Sequence, residues 1–344
     1  MLIQLQYARA IAALLVVYFH AVLQAQNVFP NPVVSSAIFG ETGVDLFFVL
    51  SGFVMWLTTA NRKISPINFY KRRIERIVPL YWAFTLLTAA IALTVPSLLK
   101  STVFDLPHLL ASLFFLPWAN PAVVNEVFVA PVIVPGWTLN YEMYFYLVFG
   151  VLLLLPVQRR IGALTAVLTI VFLLAQGAPA GSVISIFFGY SVIFEFLAGV
   201  ILAHFYMRGR LLPKAMAIPV ALIGFIVLIT IDYLKLDLPR AIAGGIPSAL
   251  VIYGLVSINF SNLRELRFAH LLGDASYSLY ITHIYVLAGA RVIFRHLPFD
   301  WLKNEALFML FCVTASVVFA LLVHWCFEKP VANFLRHRHK KAMN

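Results

Sequence analysis

Apolar runs of about 18 or more residues recur along the chain, parted by short polar or basic stretches, and each can cross roughly 30 Å of hydrocarbon as a helix. The pattern places spans near residues 7–26, 42–60, 77–95, 138–155, 161–176, 184–206, 215–233, 240–257, 276–294 and 305–327. A β-barrel would show alternating strands of about ten residues instead. The expected fold is therefore all-α: a polytopic integral membrane helical bundle of about ten transmembrane helices. One stretch breaks the rhythm. In a loop of residues 96–136, the run from Leu106 to Trp118 is bounded by Pro107 and Pro117 and is too short to span. It is read as interfacial or re-entrant.

The first run lacks a basic leader and a small-residue cleavage site, so it is read as a retained span and not as a signal peptide. One transmembrane domain over residues 1–344 is expected, closing in a short basic tail at 329–344. Composition agrees, with 62% hydrophobic and 11% charged residues, where a soluble domain carries about 25% charged.

Charge then sets orientation, because Lys and Arg near span ends are held on the cytoplasmic side. With the N-terminus inside, the inside connections carry 18 of the 25 basic residues: Arg62, Lys63, Lys71, Arg72, Arg73, Arg76, Arg159, Arg160, Arg208, Arg210, Lys214, Arg264, Arg267, Lys329, Arg336, Arg338, Lys340 and Lys341. The outside connections hold five, namely Lys100, Lys235, Arg240, Arg295 and Lys303. Both termini are thus expected in the cytoplasm. The formal charge of +11 then reflects basic loops against an anionic leaflet and calls for no nucleic acid. Cys312 and Cys326 share one apolar run, which argues against a disulfide framework. No Gly-rich phosphate loop or metal-ligand spacing is present, and no metal is expected.

Titratable groups at membrane depth cost at least about 2.5 kcal/mol on insertion scales, so each asks for a partner or a task. Arg9 and His20 are eleven residues apart, which puts them on one helix face with a rise of about 16 Å. Arg9 is expected at the cytoplasmic mouth and His20 in the outer half. Glu142, one to two turns into the fourth span from outside, and Asp45, a turn into the second, are expected level with His20. Imidazole beside a carboxylate can take a hydroxyl proton and return it. The same positions equally suit a snorkelling arginine, a core histidine and structural carboxylates. Arg72, Arg73 and Arg76, if helical, share one flank suited to phosphate oxygens, or serve as a positive-inside anchor. Glu195 sits mid-span, and His283 is placed in the inner half of the ninth span; for both, a structural role stands beside a functional one.

These segments together resemble the acyltransferase family 3 of membrane proteins. The resemblance rests on Arg9 and His20 in the first span, on Gly43-Val44-Asp45-Leu46-Phe47-Phe48-Val49-Leu50-Ser51-Gly52-Phe53, and on Arg73 and Arg76 before Pro79. It continues with Trp137-Thr138-Leu139 followed by Glu142 and Tyr146, with Ser276-Tyr277-Ser278-Leu279-Tyr280 and His283, and with Phe327-Glu328-Lys329-Pro330. It covers nearly the whole length and is nearest the branch that decorates bacterial exopolysaccharides.

The resemblance implies a multi-pass enzyme of the bacterial inner membrane that moves an acetyl or other short acyl group from cytoplasmic acyl-CoA to a sugar hydroxyl. The acceptor would be a glycan or lipid-linked sugar, with polysaccharide biosynthesis machinery as a possible partner. It implies functional roles for Arg9, His20, Arg73, Arg76 and Glu142. Many relatives carry a fused esterase-like domain; this chain is expected to complete transfer alone or with a separate partner.

Residues and resemblance together suggest that Arg72, Arg73, Arg76 and Arg9, with His283 nearby, bind acetyl-CoA as co-substrate. His20 would act as general base, oriented by Glu142 or Asp45, or would carry the acyl group itself. Trp137, Tyr146 and Glu195 are the candidate substrate-binding groups. The rival classes are a secondary transporter or flippase, which would more often show paired repeats and broken helices, and a non-catalytic assembly protein that tolerates loss of His20.

Overall fold

The computed structural model describes residues 2–29, 40–96, 99, 102–258, 266–297 and 304–342, with side chains of the last segment described through residue 335. Lys100, Arg264 and Lys303 lie outside the described residues, as do the side chains of Arg336, Arg338, Lys340 and Lys341. All the regular structure among the described residues is helical. The helices are α1 (Ile3–Ala25), α2 (Gly43–Thr59), α3 (Pro66–Thr94), α4 (Leu106–Leu113), α5 (Trp137–Leu152), α6 (Val157–Gln176), α7 (Val183–Phe188), α8 (Ile193–Met207), α9 (Lys214–Leu234), α10 (Ile246–Ser257), α11 (Arg267–Asp274), α12 (Ser276–Arg295), α13 (Glu305–Val323) and α14 (Lys329–Ala342). Each of the ten apolar runs is mainly helical, and among the described residues seven helical segments are long and apolar enough to cross a membrane.

The chain divides into two compact units, one of residues 1–54 and 198–330, the other of 55–197 and 331–344. In the first unit α1 and α12 run parallel. Ala21, Val22 and Ala25 of α1 interlock with Leu287, Ala290 and Phe294 of α12 and with Phe308, Met309 and Cys312 of α13. Further along, Ala10, Ala13 and Val17 pack with Leu272, Leu279 and Ala320. The alanines are the reason for the close approach, since in an apolar solvent helices associate through small residues that let backbones meet. The same device recurs at Gly199, where an added Cβ would strike the Val49 carbonyl of α2, and at Gly254, where it would strike the Ala217 carbonyl of α9.

In the second unit α5 runs antiparallel to α3. Tyr70 donates to the Leu147 carbonyl at 2.7 Å, and Tyr81 lies beside Gly136 near the other end of the pairing. The third span is expected from residue 77, and the helix that carries it begins earlier, at Pro66 behind a Ser65 cap, and continues for 29 residues. Pro66 lacks only an N–H that the first turn leaves unpaired, so it fits there. The short run in the 96–136 loop forms the eight-residue helix α4. Trp82 Nε1 donates to the Leu113 carbonyl at 2.8 Å, and Tyr81 stacks on Phe115 with centroids 4.6 Å apart.

Candidate functional site: an imidazole pair and its polar surroundings

The first unit brings two histidines together. On α1, His20 Nδ1 lies 2.9 Å from the Val16 carbonyl, and on α12 His283 Nδ1 lies 3.1 Å from the Leu279 carbonyl. A carbonyl can only accept, so each Nδ1 is assigned the ring proton. His283 Nε2 is then a lone pair, and it stands 3.4 Å from His20 Nδ1. His20 Nδ1–H is thus shared between Val16 and His283, and His20 Nε2 is left as the basic nitrogen. The rings are 4.9 Å apart at 57°, with Phe19 edge-on to His20 at 5.1 Å. His283 is fully buried while His20 is half-buried.

The structure therefore sets His283 level with His20, where the sequence reading puts the two in opposite halves of their spans. The physical cause is α11, which packs beside the start of α1: Gly273 lies against the Gln6 backbone, and Gln6 Nε2 donates to Asp274 Oδ1 at 2.5 Å. That carries the start of α12 some way along α1 before Ser276, so counting residues from each helix start misjudges relative depth. Beyond the histidines, Arg291 Nη1 donates to Gln24 Oε1 at 3.0 Å and Arg295 Nη2 to the Asn27 carbonyl at 2.6 Å. Arg9 is half-buried on the same helix as His20.

Asp45 has a different partner from the one expected. Arg240 Nε and Nη2 reach its Oδ1 and Oδ2 at 2.7 and 2.9 Å, and Nη1 reaches Glu41 Oε1 at 2.9 Å. Both carboxylate oxygens are thus held in a bidentate fork, and Gly244 sits against the carboxylate from the π-helical turn 241–245. Asp45 is fully buried, so a nearby cation is what makes its charge tolerable. The sequence pattern puts Arg240 among loop charges; a buried carboxylate in want of a cation is the signal that would point to it. A second cluster joins the Ser276–Tyr280 and Phe327–Pro330 segments: Ser278 Oγ donates to Glu328 Oε2 at 2.6 Å, and His324 Nδ1 approaches the same oxygen at 2.8 Å.

In the second unit the Tyr146 hydroxyl donates to Glu142 Oε1, one turn back on α5. The Arg73 guanidinium of α3 lies over the rings of Tyr146 and Phe69, at 5.4 and 5.5 Å, a cation–π arrangement. Arg76 also acts electrostatically on Tyr146. The sequence reading set Glu142 near one membrane face and Arg73 near the other; the structure sets them in one cluster, because α5 stands beside the first half of a helix longer than one span. Arg72 and Arg76 are exposed and Arg73 is half-buried. Trp137 packs edge-on to Tyr141 at 5.8 Å and beside Tyr190 at 6.4 Å. Glu195 is fully buried in the first turn of α8.

Comparison with known proteins bears on what such groups serve. The exopolysaccharide production protein ExoZ of Rhizobium meliloti (strain 1021) is 36% identical over 72% of this chain and 77% of its own length. The acyltransferase MdmB of Streptomyces mycarofaciens is 28% identical over 97% of this chain and 92% of its own. The O-acetyltransferase OatA of Staphylococcus aureus (strain NCTC 8325 / PS 47) is 26% identical over 71% of this chain, which spans 45% of OatA. No solved structure matches. A family model described as an acyltransferase domain matches residues 2–325, and with these relatives it shows that the chain belongs to acyltransferase family 3, a family of integral membrane proteins.

Proposed function

We propose that this protein is a membrane O-acyltransferase of the bacterial inner membrane, which moves an acetyl or other short acyl group from cytoplasmic acyl-CoA to a hydroxyl of an exopolysaccharide or cell-surface sugar. The observation that carries the reading is the imidazole pair, in which His20 Nδ1–H is pinned and Nε2 is kept as a proton acceptor. The names of ExoZ and OatA support the class of acceptor and the acetyl group. In this reading the chain crosses the membrane about ten times with both termini in the cytoplasm.

His20 Nε2 takes the proton of the acceptor hydroxyl as its oxygen attacks the thioester carbonyl. The C–O ester bond forms, the C–S bond breaks, and the imidazolium returns the proton to the departing CoA thiolate. His283 holds the ring in its working orientation. Arg9 lies about 16 Å of helix rise from His20, comparable to the length of a pantetheine arm. Arg9, and in the second unit Arg72, Arg73 and Arg76, are the cations assigned to CoA phosphates. Trp137, Tyr146 and Glu195 are assigned to the acceptor, and Glu142 to holding Tyr146.

Membranes carrying the protein, incubated with radiolabelled acetyl-CoA and glycan from a deletion strain, should label the glycan. His20→Ala, inserted at normal levels, should lower labelling by about a hundredfold to ten-thousandfold. Full labelling by that variant would remove the base role.

A further inference from the structure

Past the imidazole pair, the seam between α1 and α12 carries two more polar steps, Gln24 with Arg291 and Asn27 with Arg295. The two helices run parallel, so these steps lead toward the C-terminal ends of both. Arg291 follows His283 by eight residues, a rise of about 12 Å, and Arg295 follows one turn later.

The charge state of this end is unusual. Arg291 is only 9% exposed, and its partner there is a neutral amide. Among the described residues, the charge that acts on it is another cation, Arg295. Among the described residues no carboxylate comes within ion-pair distance of either arginine. A buried guanidinium with a neutral acceptor and a like-charged neighbour is costly by itself, and an anionic oxygen is the group that would stabilise it. An ordinary anchoring arginine at a helix end extends toward water; Arg291 is instead turned inward and held by Gln24.

We propose that Arg291 and Arg295 bind an anionic group of the acceptor, a phosphate or a carboxylate, and so hold its hydroxyl within reach of His20. The positioning role rests on the reading of His20 as the base, whereas the anion site itself is tested without turnover. Full-length protein in detergent, free of acyl-CoA, is titrated with geranylgeranyl diphosphate, trigalacturonate and neutral cellotriose. At least one anionic probe should bind more than about tenfold tighter than cellotriose, Arg291→Gln should lose about tenfold of that, and Arg291→Lys should keep most of it. Acetyl-CoA affinity should stay unchanged in every variant. A preference for the diphosphate identifies a lipid-linked acceptor; a preference for trigalacturonate identifies an acidic sugar. Should Arg291→Gln fail to fold, as read by melting in detergent, exposed Arg295→Ala carries the same comparison. Equal binding of charged and neutral probes, an unaffected variant, or a loss confined to acetyl-CoA would each overturn the proposal.

Discussion

Replacing His283 by Phe tests the division of labour within the imidazole pair. The aromatic ring keeps most of the volume at a fully buried position but offers no lone pair to His20. The lost hydrogen bond is the long member of a shared pair, 3.4 Å against 2.9 Å for Val16. The Val16 carbonyl therefore still fixes the tautomer after the change. A neutral hydrogen bond of this kind contributes about 0.5–1.5 kcal/mol, which converts to a fall in kcat of between about twofold and about tenfold. The KM for acetyl-CoA should not move, since His283 is placed against the base and not against the donor. Initial rates of glycan labelling over a range of acetyl-CoA concentrations give both quantities. A loss as deep as that of His20→Ala would refute the reasoning, because His283 would then be the base or an inseparable half of it. A raised KM with normal kcat would return His283 to the donor-binding role that its sequence position suggests.

Two further outcomes follow from packing. Arg240→Ala should destabilise the detergent-solubilised protein by about 3–5 kcal/mol, because it leaves a buried carboxylate uncompensated; pairing it with Asp45→Asn should recover much of the loss, and equal thermal denaturation of wild type and Arg240→Ala would contradict the fork. Gly199→Leu should prevent α2 and α8 from meeting at the Val49 carbonyl and cost more than the about 1–3 kcal/mol typical of overpacking, read as a lower melting temperature or loss of folded protein on size exclusion.

The helices were legible because span length is set by the thickness of hydrocarbon, and a run of apolar residues needs no partner to be recognised. His20 was legible for the same reason in reverse, as a costly residue in an apolar run. Relative depth was not. Counting from the start of each span assumes that every span begins at the membrane edge. α3 begins eleven residues before the expected span, and α11 offsets the start of α12 along α1. Those two offsets bring His283 to His20 and Arg73 to Tyr146. Nor does sequence alone pair Asp45 with Arg240, since the two are 195 residues apart and the arginine looked like a loop charge.

The seam that holds the imidazole pair explains why its polar groups are tolerated. His20 bonds to Val16, His283 to Leu279 and Thr282 to Ser278, each to the carbonyl four residues earlier on its own helix. Donors satisfied within their own helix make no demand on the lipid or on neighbouring elements, so the surrounding contacts remain apolar. Of the four ring nitrogens, two donate to carbonyls and His283 Nε2 accepts from His20. His20 Nε2 alone has no partner among the described residues, on the less buried of the two rings. A seam that satisfies three nitrogens and leaves the fourth basic and accessible favours proton transfer over a purely structural role, since a packed structural histidine would have both nitrogens engaged.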